Sequence, residues 1–351
     1  MAAATTPTDQ PAPGIAVLGV GHHLPSQVED NASLCQRLAV TPEWIVEKTG
    51  IQRRHLAAPD DSASGFAELA ARQALASAGI SAAQLDIIIV CTFSGDYVFP
   101  PLSAKLHQLL GAKGAQIYDL QANCSGVVAG LTAASDRLAR DNTLRYALVV
   151  GVELCSRYVD SADVNTAIYL SDGAGAVVLG RCAPEAGIQS SAFFTDSSNY
   201  EAVRLRGGGS SHPLRGRAFD PALDLMEMNG IATWKQAITH LPRVMRQACE
   251  KAGVGLAEVD FFIFHQANLR LLDYVVRKIG ARPDQTYTNV QEIGNTGSAS
   301  VAIALSEAVQ KGLLRPGSLV MLATVGAGFN FGASLWRWAP MPQLVQQEIR
   351  A

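Results

Sequence analysis

At 351 residues, with 28 Lys and Arg against 31 Asp and Glu and a net charge of −3, the chain carries no charge excess that calls for nucleic acid or an anionic membrane. Apolar residues make up 48%, enough for a large buried core in one big domain or two, and the longest apolar runs, such as Ala147 to Val152, are too short to span a bilayer. Residues 1–13, rich in Ala, Thr and Pro, lack the basic start and apolar centre of a signal peptide and read as a disordered tail. Ile15 to Gly21 reads as a strand entering a glycine turn. Val40 to Lys48 reads as a short helix with Thr41 as N-cap and Pro42 as its first residue. An Ala-rich helix over Gly65 to Ala78, a buried strand over Asp86 to Thr92 and a helix over Leu102 to Leu110, closed by Gly111, come next. Ile117 to Gln121 is a strand leading into Asn123-Cys124-Ser125-Gly126 and a helix to Arg140; Tyr146 to Glu153 is another buried strand. Ser171 to Ala176 reads as a tight turn between apolar segments, and Ala183 to Arg217 as a linker. A helix over Gly230 to Ala252, a strand over Asp260 to His265, helices over Leu269 to Ile279 and Ser298 to Lys311, and a strand over Ser318 to Ala323 complete the chain.

The chain repeats itself. Ala78 to Cys91 matches Ala252 to His265 at an offset of 174 positions, and Cys124-Ser125-Gly126 matches Asn295-Thr296-Gly297 at an offset of 171. Two such halves predict two copies of one α/β unit about a pseudo-twofold axis, with boundaries at 14–183 and 184–351. Equivalent positions converge near such an axis, and they hold a thiol, a base and an amide.

The six cysteines form no C-x-x-C pair, which argues against a zinc or thioredoxin-type site. They predict free thiols in a reducing, cytoplasmic setting. Cys124 stands where a strand ends and a helix begins, where unpaired N–H groups favour a thiolate. A buried structural cysteine is the competing reading. His265 ends a buried strand, where α/β sheets commonly place active groups; a core histidine is the plainer reading. Asn295, flanked by Gly294 and Gly297, is by itself a plain N-cap. Their coincidence at duplicated positions weakens all three plain readings together. The arginines Arg204, Arg206, Arg215 and Arg217 form a basic loop, open either to an acidic partner or to solvent.

These residues sit in longer motifs: Glu43-Trp44-Ile45-Val46 with Thr49-Gly50-Ile51, Asn123-Cys124-Ser125-Gly126, Asp172-Gly173-Ala174-Gly175-Ala176, His265-Gln266-Ala267-Asn268-Leu269-Arg270 and Gly294-Asn295-Thr296-Gly297. With them the chain resembles the thiolase-fold condensing enzymes, specifically the β-ketoacyl-acyl-carrier-protein synthase III family, over Ile15 to Trp338. The resemblance implies a five-layer αβαβα sandwich of two pseudo-symmetric halves. It implies a decarboxylating Claisen condensation of an acyl-CoA with malonyl-acyl carrier protein, with Cys124 as nucleophile and His265 and Asn295 as partners for the malonyl thioester. Backbone N–H groups of Cys124 and Ala327 would form the oxyanion hole. Trp44 would stack on the CoA adenine, Gly230, Trp234 and Asn268 would line the pantetheine tunnel, and Phe99 would reach a partner's pocket in a homodimer. No metal or redox cofactor is implied.

A basic face of Arg270, Arg277 and Lys278 is the expected dock for an acidic carrier protein, with a solvated surface stripe as the competing reading. Three departures concern CoA: Val164-Asn165 stands where Arg-Gly is usual, Lys48 stands for a common arginine, and Asn123-Cys124-Ser125-Gly126 replaces Ala-Cys-Ala-Gly. Two other readings stay open: an acyltransferase serving an oxygen or nitrogen nucleophile, and a catalytically silent partner subunit.

Overall fold

The structure is a computed structural model that describes residues 13–341, so the tail read over 1–13 lies, apart from Pro13, outside the described residues. Ten strands build two sheets: β1 (Gly14–His23), β2 (Ile87–Cys91), β3 (Gln116–Leu120), β4 (Tyr146–Leu154) and β5 (Asp172–Cys182) in the first, and β6 (Gly187–Thr195), β7 (Phe261–Phe264), β8 (Thr286–Tyr287), β9 (Leu319–Gly326) and β10 (Asn330–Arg337) in the second. Their orders are β1-β5-β4-β2-β3 and β8-β7-β9-β10-β6. Both sheets pair β2 or β7 in parallel with two neighbours and reach their far edge through two antiparallel pairings. One topology is therefore used twice.

The inner strands bury both faces, which is why they read as unbroken apolar runs: Ile87 to Cys91 is buried throughout, as an inner strand covered by helices on both sides requires. The helices longer than one turn are α1 (Pro42–Thr49), α2 (Ala63–Ala78), α3 (Leu102–Leu110), α4 (Gly126–Arg140), α5 (Gly230–Lys251), α6 (Leu269–Ile279) and α7 (Ser300–Gln310). Val127, Leu131, Val301 and Leu305 of α4 and α7 share one core with Ile89 and Val149 of the first sheet and Ile263 and Leu322 of the second. The two helices thus form the central layer. The apolar faces of α2 and α3 cover the outside of the first sheet, and those of α5 and α6 the outside of the second. The result is the expected αβαβα sandwich. Local signals operate as read: Thr41 caps α1 by accepting from Trp44 N–H, and Gly111 ends α3 at φ 66°.

Several expectations fail for identifiable reasons. Gly19 and Gly21 make no turn; β1 runs through them to His23. They let α2 lie close, since a Cβ at Gly19 would stand 2.2 Å from the Ala74 carbonyl oxygen. Asp172 to Ala176 is likewise the start of β5, buried from Asp172 to Gly180, and its small residues admit α7: a Cβ at Gly175 would stand 2.6 Å from Ala302 Cβ. The linker read over Ala183 to Arg217 contains β6, an edge strand whose mixed burial gives no clean alternation. The second repeat match is also out of register. A 3-10 turn precedes each central helix, over Asn123–Ser125 and Gly297–Ala299, and α4 and α7 begin at Gly126 and Ser300, again 174 positions apart. The repeat therefore sets Ser298, not Asn295, opposite Cys124.

Candidate active site

Cys124 lies in the 3-10 turn between β3 and α4. The residue as a whole is only half-buried, but the protein around its sulfur excludes most water. That desolvation, followed by the negative charge of Glu153, pushes the thiol up to about 12, against a smaller opposing hydrogen bond from its own N–H. The helix start was expected to favour a thiolate. A helix end contributes at most about 2 kcal/mol, and here desolvation and a neighbouring carboxylate outweigh it.

The central helices carry the other groups to the same place. A Cβ at Gly126, the first residue of α4, would meet Cys91 Cβ at 2.9 Å, and Ser298, just before α7, donates to the Cys91 carbonyl at 2.7 Å. Both helix starts thus meet over the end of β2. His265 leaves the end of β7, its N–H bonded to the Ala323 carbonyl of β9. It is buried, and burial holds its imidazole down to about 4, so it is neutral at pH 7. Its Nδ1 lies 2.6 Å from Ser300 Oγ, which also accepts the Gln266 N–H at 3.2 Å. Among the described residues the Ser300 hydroxyl proton has no acceptor besides that Nδ1. These partners assign Ser300 as donor to Nδ1 and leave Nε2–H as a donor of His265.

Asn295 reaches the site through a bridge to the segment before β5: its N–H donates to Tyr169 at 2.8 Å and its carbonyl accepts from Ser171 at 2.9 Å. Its side-chain oxygen accepts the Gly297 N–H at 3.0 Å, and its Nδ2 hydrogens have no acceptor among the described residues. A neutral imidazole and an amide thus both present N–H donors, and the arrangement suits an oxygen that gains negative charge.

Sequence reasoning missed Ser300, and it also missed Glu153. This fully buried residue of β4 accepts from Ser94 Oγ at 2.5 Å, Thr92 Oγ at 3.2 Å and Phe93 N–H at 3.3 Å. Burial pushes its carboxyl up to about 7 against those hydrogen bonds. A Cβ at Gly297 would lie 2.8 Å from its Cγ, so the carboxyl sits beneath the turn that follows Asn295. A lone acid closing an apolar run, Ala147 to Val152, was the available signal.

The expected binding residues divide. Trp44, half-buried on α1, packs with Ile45, Leu38 and Ile168. Gly230 opens α5, exposed and unobstructed, and Trp234 one turn later packs on Tyr274 of α6 at 6.0 Å. Asn268 is the N-cap of α6, accepting from Arg270 and Leu271 N–H, and its Nδ2 reaches the Lys48 carbonyl at 3.3 Å. Arg270 spends its guanidinium on the Val46 and Glu47 carbonyls at the end of α1, and Lys278 donates to the Ile238 carbonyl at 2.7 Å. Arg277 is exposed and, among the described residues, has no acidic partner.

Phe99 is 83% exposed beside Tyr97 and Val98, an apolar tip. Asn165 folds back on Asp163, and Lys48 pairs with Glu47 at 3.0 Å. Three of the four loop arginines meet acids that flank the loop: Arg204 pairs with Glu201 and Glu227, Arg206 with Glu227 and Arg217 with Asp224 at 2.5 Å; Arg215 has no acidic partner among the described residues.

Comparison with known proteins follows the same lines. A family model for 3-oxoacyl-acyl-carrier-protein synthase III matches residues 118–197, and the model for the C-terminal part of that family matches residues 249–338. The chain is 41% identical over 326 residues to a β-ketoacyl-acyl-carrier-protein synthase III of Bordetella petrii, covering 92% of this chain and 97% of that one. The crystal structure of a 3-oxoacyl-acyl-carrier-protein synthase III from Aquifex aeolicus superposes with a TM-score of 0.85 at 32% identity, over 93% of this chain and 100% of that one. A priming β-ketosynthase of a polyketide biosynthetic pathway superposes with a TM-score of 0.86 at 30% identity, over 96% and 100%.

Proposed function

Since the chain belongs to the 3-oxoacyl-acyl-carrier-protein synthase III family, we propose that it condenses an acyl thioester with a malonyl thioester, releasing carbon dioxide and forming a 3-oxoacyl thioester. The observation that carries the reading is the meeting of the Cys124 turn with a neutral His265, proton-fixed by Ser300, and an Asn295 amide with free hydrogens. In the first half-reaction Cys124 Sγ gives up its proton and attacks the acyl carbonyl, the C–S bond to CoA breaks, and the departing CoA sulfur takes up that proton. The N–H groups of Cys124 and Ala327 hold the oxyanion. In the second, the bond from the malonyl carbon to its carboxylate breaks. The electron pair becomes an enolate whose oxygen accepts from His265 Nε2–H and Asn295 Nδ2–H. The enolate carbon attacks the acyl-enzyme, and the Cys124 thiolate leaves. Thiol, imidazole, amide and backbone supply every group these steps use, so the reading calls for no metal or redox cofactor.

The acyl group arrives on CoA along Trp44, Gly230, Trp234 and Asn268. Val164 and Lys48 offer the CoA phosphates no arginine, so donor recognition rests more on the pantetheine arm and the adenine. Malonyl carrier protein docks at Arg277. The Tyr97-Val98-Phe99 tip enters the pocket of a second copy, making a homodimer. No helix among the described residues is long and apolar enough to cross a membrane.

The test is intact-mass spectrometry after exposure to a panel of acyl-CoAs, followed by malonyl carrier protein with carbon dioxide release measured. The native chain gains one acyl group and then releases carbon dioxide; Cys124→Ser gains none; His265→Ala and Asn295→Ala are acylated but release little carbon dioxide. An adduct that persists in Cys124→Ser, or one discharged to an oxygen or nitrogen acceptor without carbon dioxide, would overturn the reading.

A further inference from the structure

Asn123, immediately before the nucleophile, holds φ at 49° and is the one non-glycine residue with positive φ among those described. Asparagine tolerates this left-handed conformation better than most residues, so its type could be explained by backbone shape alone. Its side chain, however, crosses to the other half of the molecule and donates from Nδ2 to the Ala327 carbonyl at 3.0 Å. Two residues on, Ser125, fully buried, donates from Oγ to the Asn330 carbonyl at 2.7 Å. Between these two links the backbones touch: a Cβ at Gly326 would stand 2.5 Å from the Ala122 oxygen and 3.0 Å from Ser125 N. The turn carrying Cys124 is thus laced to the β9–β10 hairpin at three successive points. Asn123 and Ser125 are the two positions where the motif departs from Ala-Cys-Ala-Gly.

We propose that Asn123 is a positioning residue for the oxyanion hole. Resting on the condensing-enzyme reading above, it fixes Ala327 so that the Ala327 N–H stays aimed, with the Cys124 N–H, at the acyl oxygen. When Cys124 Sγ bonds to the acyl carbon, that oxygen receives the carbonyl electron pair, and it returns the pair as the CoA thiolate is expelled. Donors already in place at that moment cost no reorganisation. Asn123 touches neither thiol nor substrate in this scheme and acts only through Ala327.

Two chemistries at one sulfur separate this role from a structural one. Acylation passes through an oxyanion, whereas alkylation by iodoacetamide displaces iodide at a saturated carbon and forms none. Asn123→Gly keeps the left-handed backbone and removes the amide. Asn123→Asp keeps the side-chain shape but replaces the donor with an oxygen facing the Ala327 carbonyl. For both variants, single-turnover acylation at saturating acyl-CoA should fall about 10- to 100-fold, less than the roughly 100- to 1,000-fold loss when an oxyanion donor is deleted outright. KM for acyl-CoA and the rate of Cys124 alkylation should stay within about twofold of native. Native-rate acylation by Asn123→Gly would show that backbone shape alone selects the asparagine and would overturn the proposal. Parallel loss of acylation and alkylation would overturn it too, by placing the effect on the thiol or the fold. A native chain that is alkylated but takes no acyl group would instead sink the condensing-enzyme reading, and this proposal with it.

Discussion

Glu153 and Cys124 are both acids held in one desolvated space, so the charge of the first raises the cost of ionising the second. Burial and Glu153 act in the same direction on the thiol. The thiolate population at neutral pH is therefore set partly by a residue outside the motif that carries the cysteine. Glu153→Gln removes the charge but retains an oxygen to accept from the Phe93 N–H and an amide that can donate to the Thr92 and Ser94 hydroxyls. Above pH 7, where Glu153 is ionised, iodoacetamide should alkylate Cys124 several-fold faster in this variant than in the native chain. Near pH 5.5, where the native carboxyl is protonated, the two rates should converge. An equal rate at pH 8, or a slower one, would mean that Glu153 does not govern the thiol. Cys124, His265 and Asn295 could be picked out as candidates in the sequence because each sits in a local motif. Glu153 and Ser300 could not, because their roles come from pairings across the fold: Ser300 meets His265 from another element, and Glu153 reaches the site only once β4 passes beneath the Gly297 turn.

Elements were legible where burial leaves a period or a cap leaves a residue type, and α3 and α6 agree with their expected spans to the residue. β10 was not anticipated, because a strand buried along Phe331 to Trp336 shows no alternation and follows the glycines of the β9–β10 turn. β1 was cut short for a different reason: its glycines serve contact and not conformation. Gly19→Ala should destabilise the fold by about 1–3 kcal/mol in urea unfolding, the usual range for overpacking, since the added methyl meets Ala74 backbone and cannot rotate away. A neutral result would show that α2 can retreat from β1. On α6 Arg270 and Lys278 keep their charge but are tethered to backbone carbonyls, which leaves Arg277 the freest of the three expected docking cations. Arg277→Glu should therefore lower turnover with malonyl carrier protein, with a steep salt dependence in the native chain, and leave acylation from acyl-CoA unchanged. Indifference of carrier-dependent turnover to both salt and charge reversal would place the dock elsewhere.

Across the whole molecule the pseudo-twofold arrangement brings two groups of opposite pH behaviour into one interior, Glu153 from the first half and His265 from the second. Glu153 has its folded value raised from 4.5 to about 7. Between those values the folded state holds the proton more tightly than the unfolded chain, so this group makes stability fall as pH rises and leaves a cost on the order of 3 kcal/mol above pH 7. His265 has its folded value lowered from 6.5 to about 4. There the unfolded chain binds the proton more tightly, so this group makes stability rise with pH by a similar amount, completed near pH 6.5. The two slopes overlap and oppose one another between pH 4.5 and 6.5. Glu153→Gln deletes one of them. Urea unfolding of both proteins at pH 5 and pH 8 should show the variant gaining on the native chain by on the order of 3 kcal/mol between the two values. Taking the difference between the proteins cancels the surface carboxylates, such as Asp224 held low by Arg217, that titrate identically in both. A difference that stays constant from pH 5 to pH 8 would mean that Glu153 ionises in the fold as it does in the unfolded chain, and that its partners Ser94, Thr92 and Phe93 fully offset its burial.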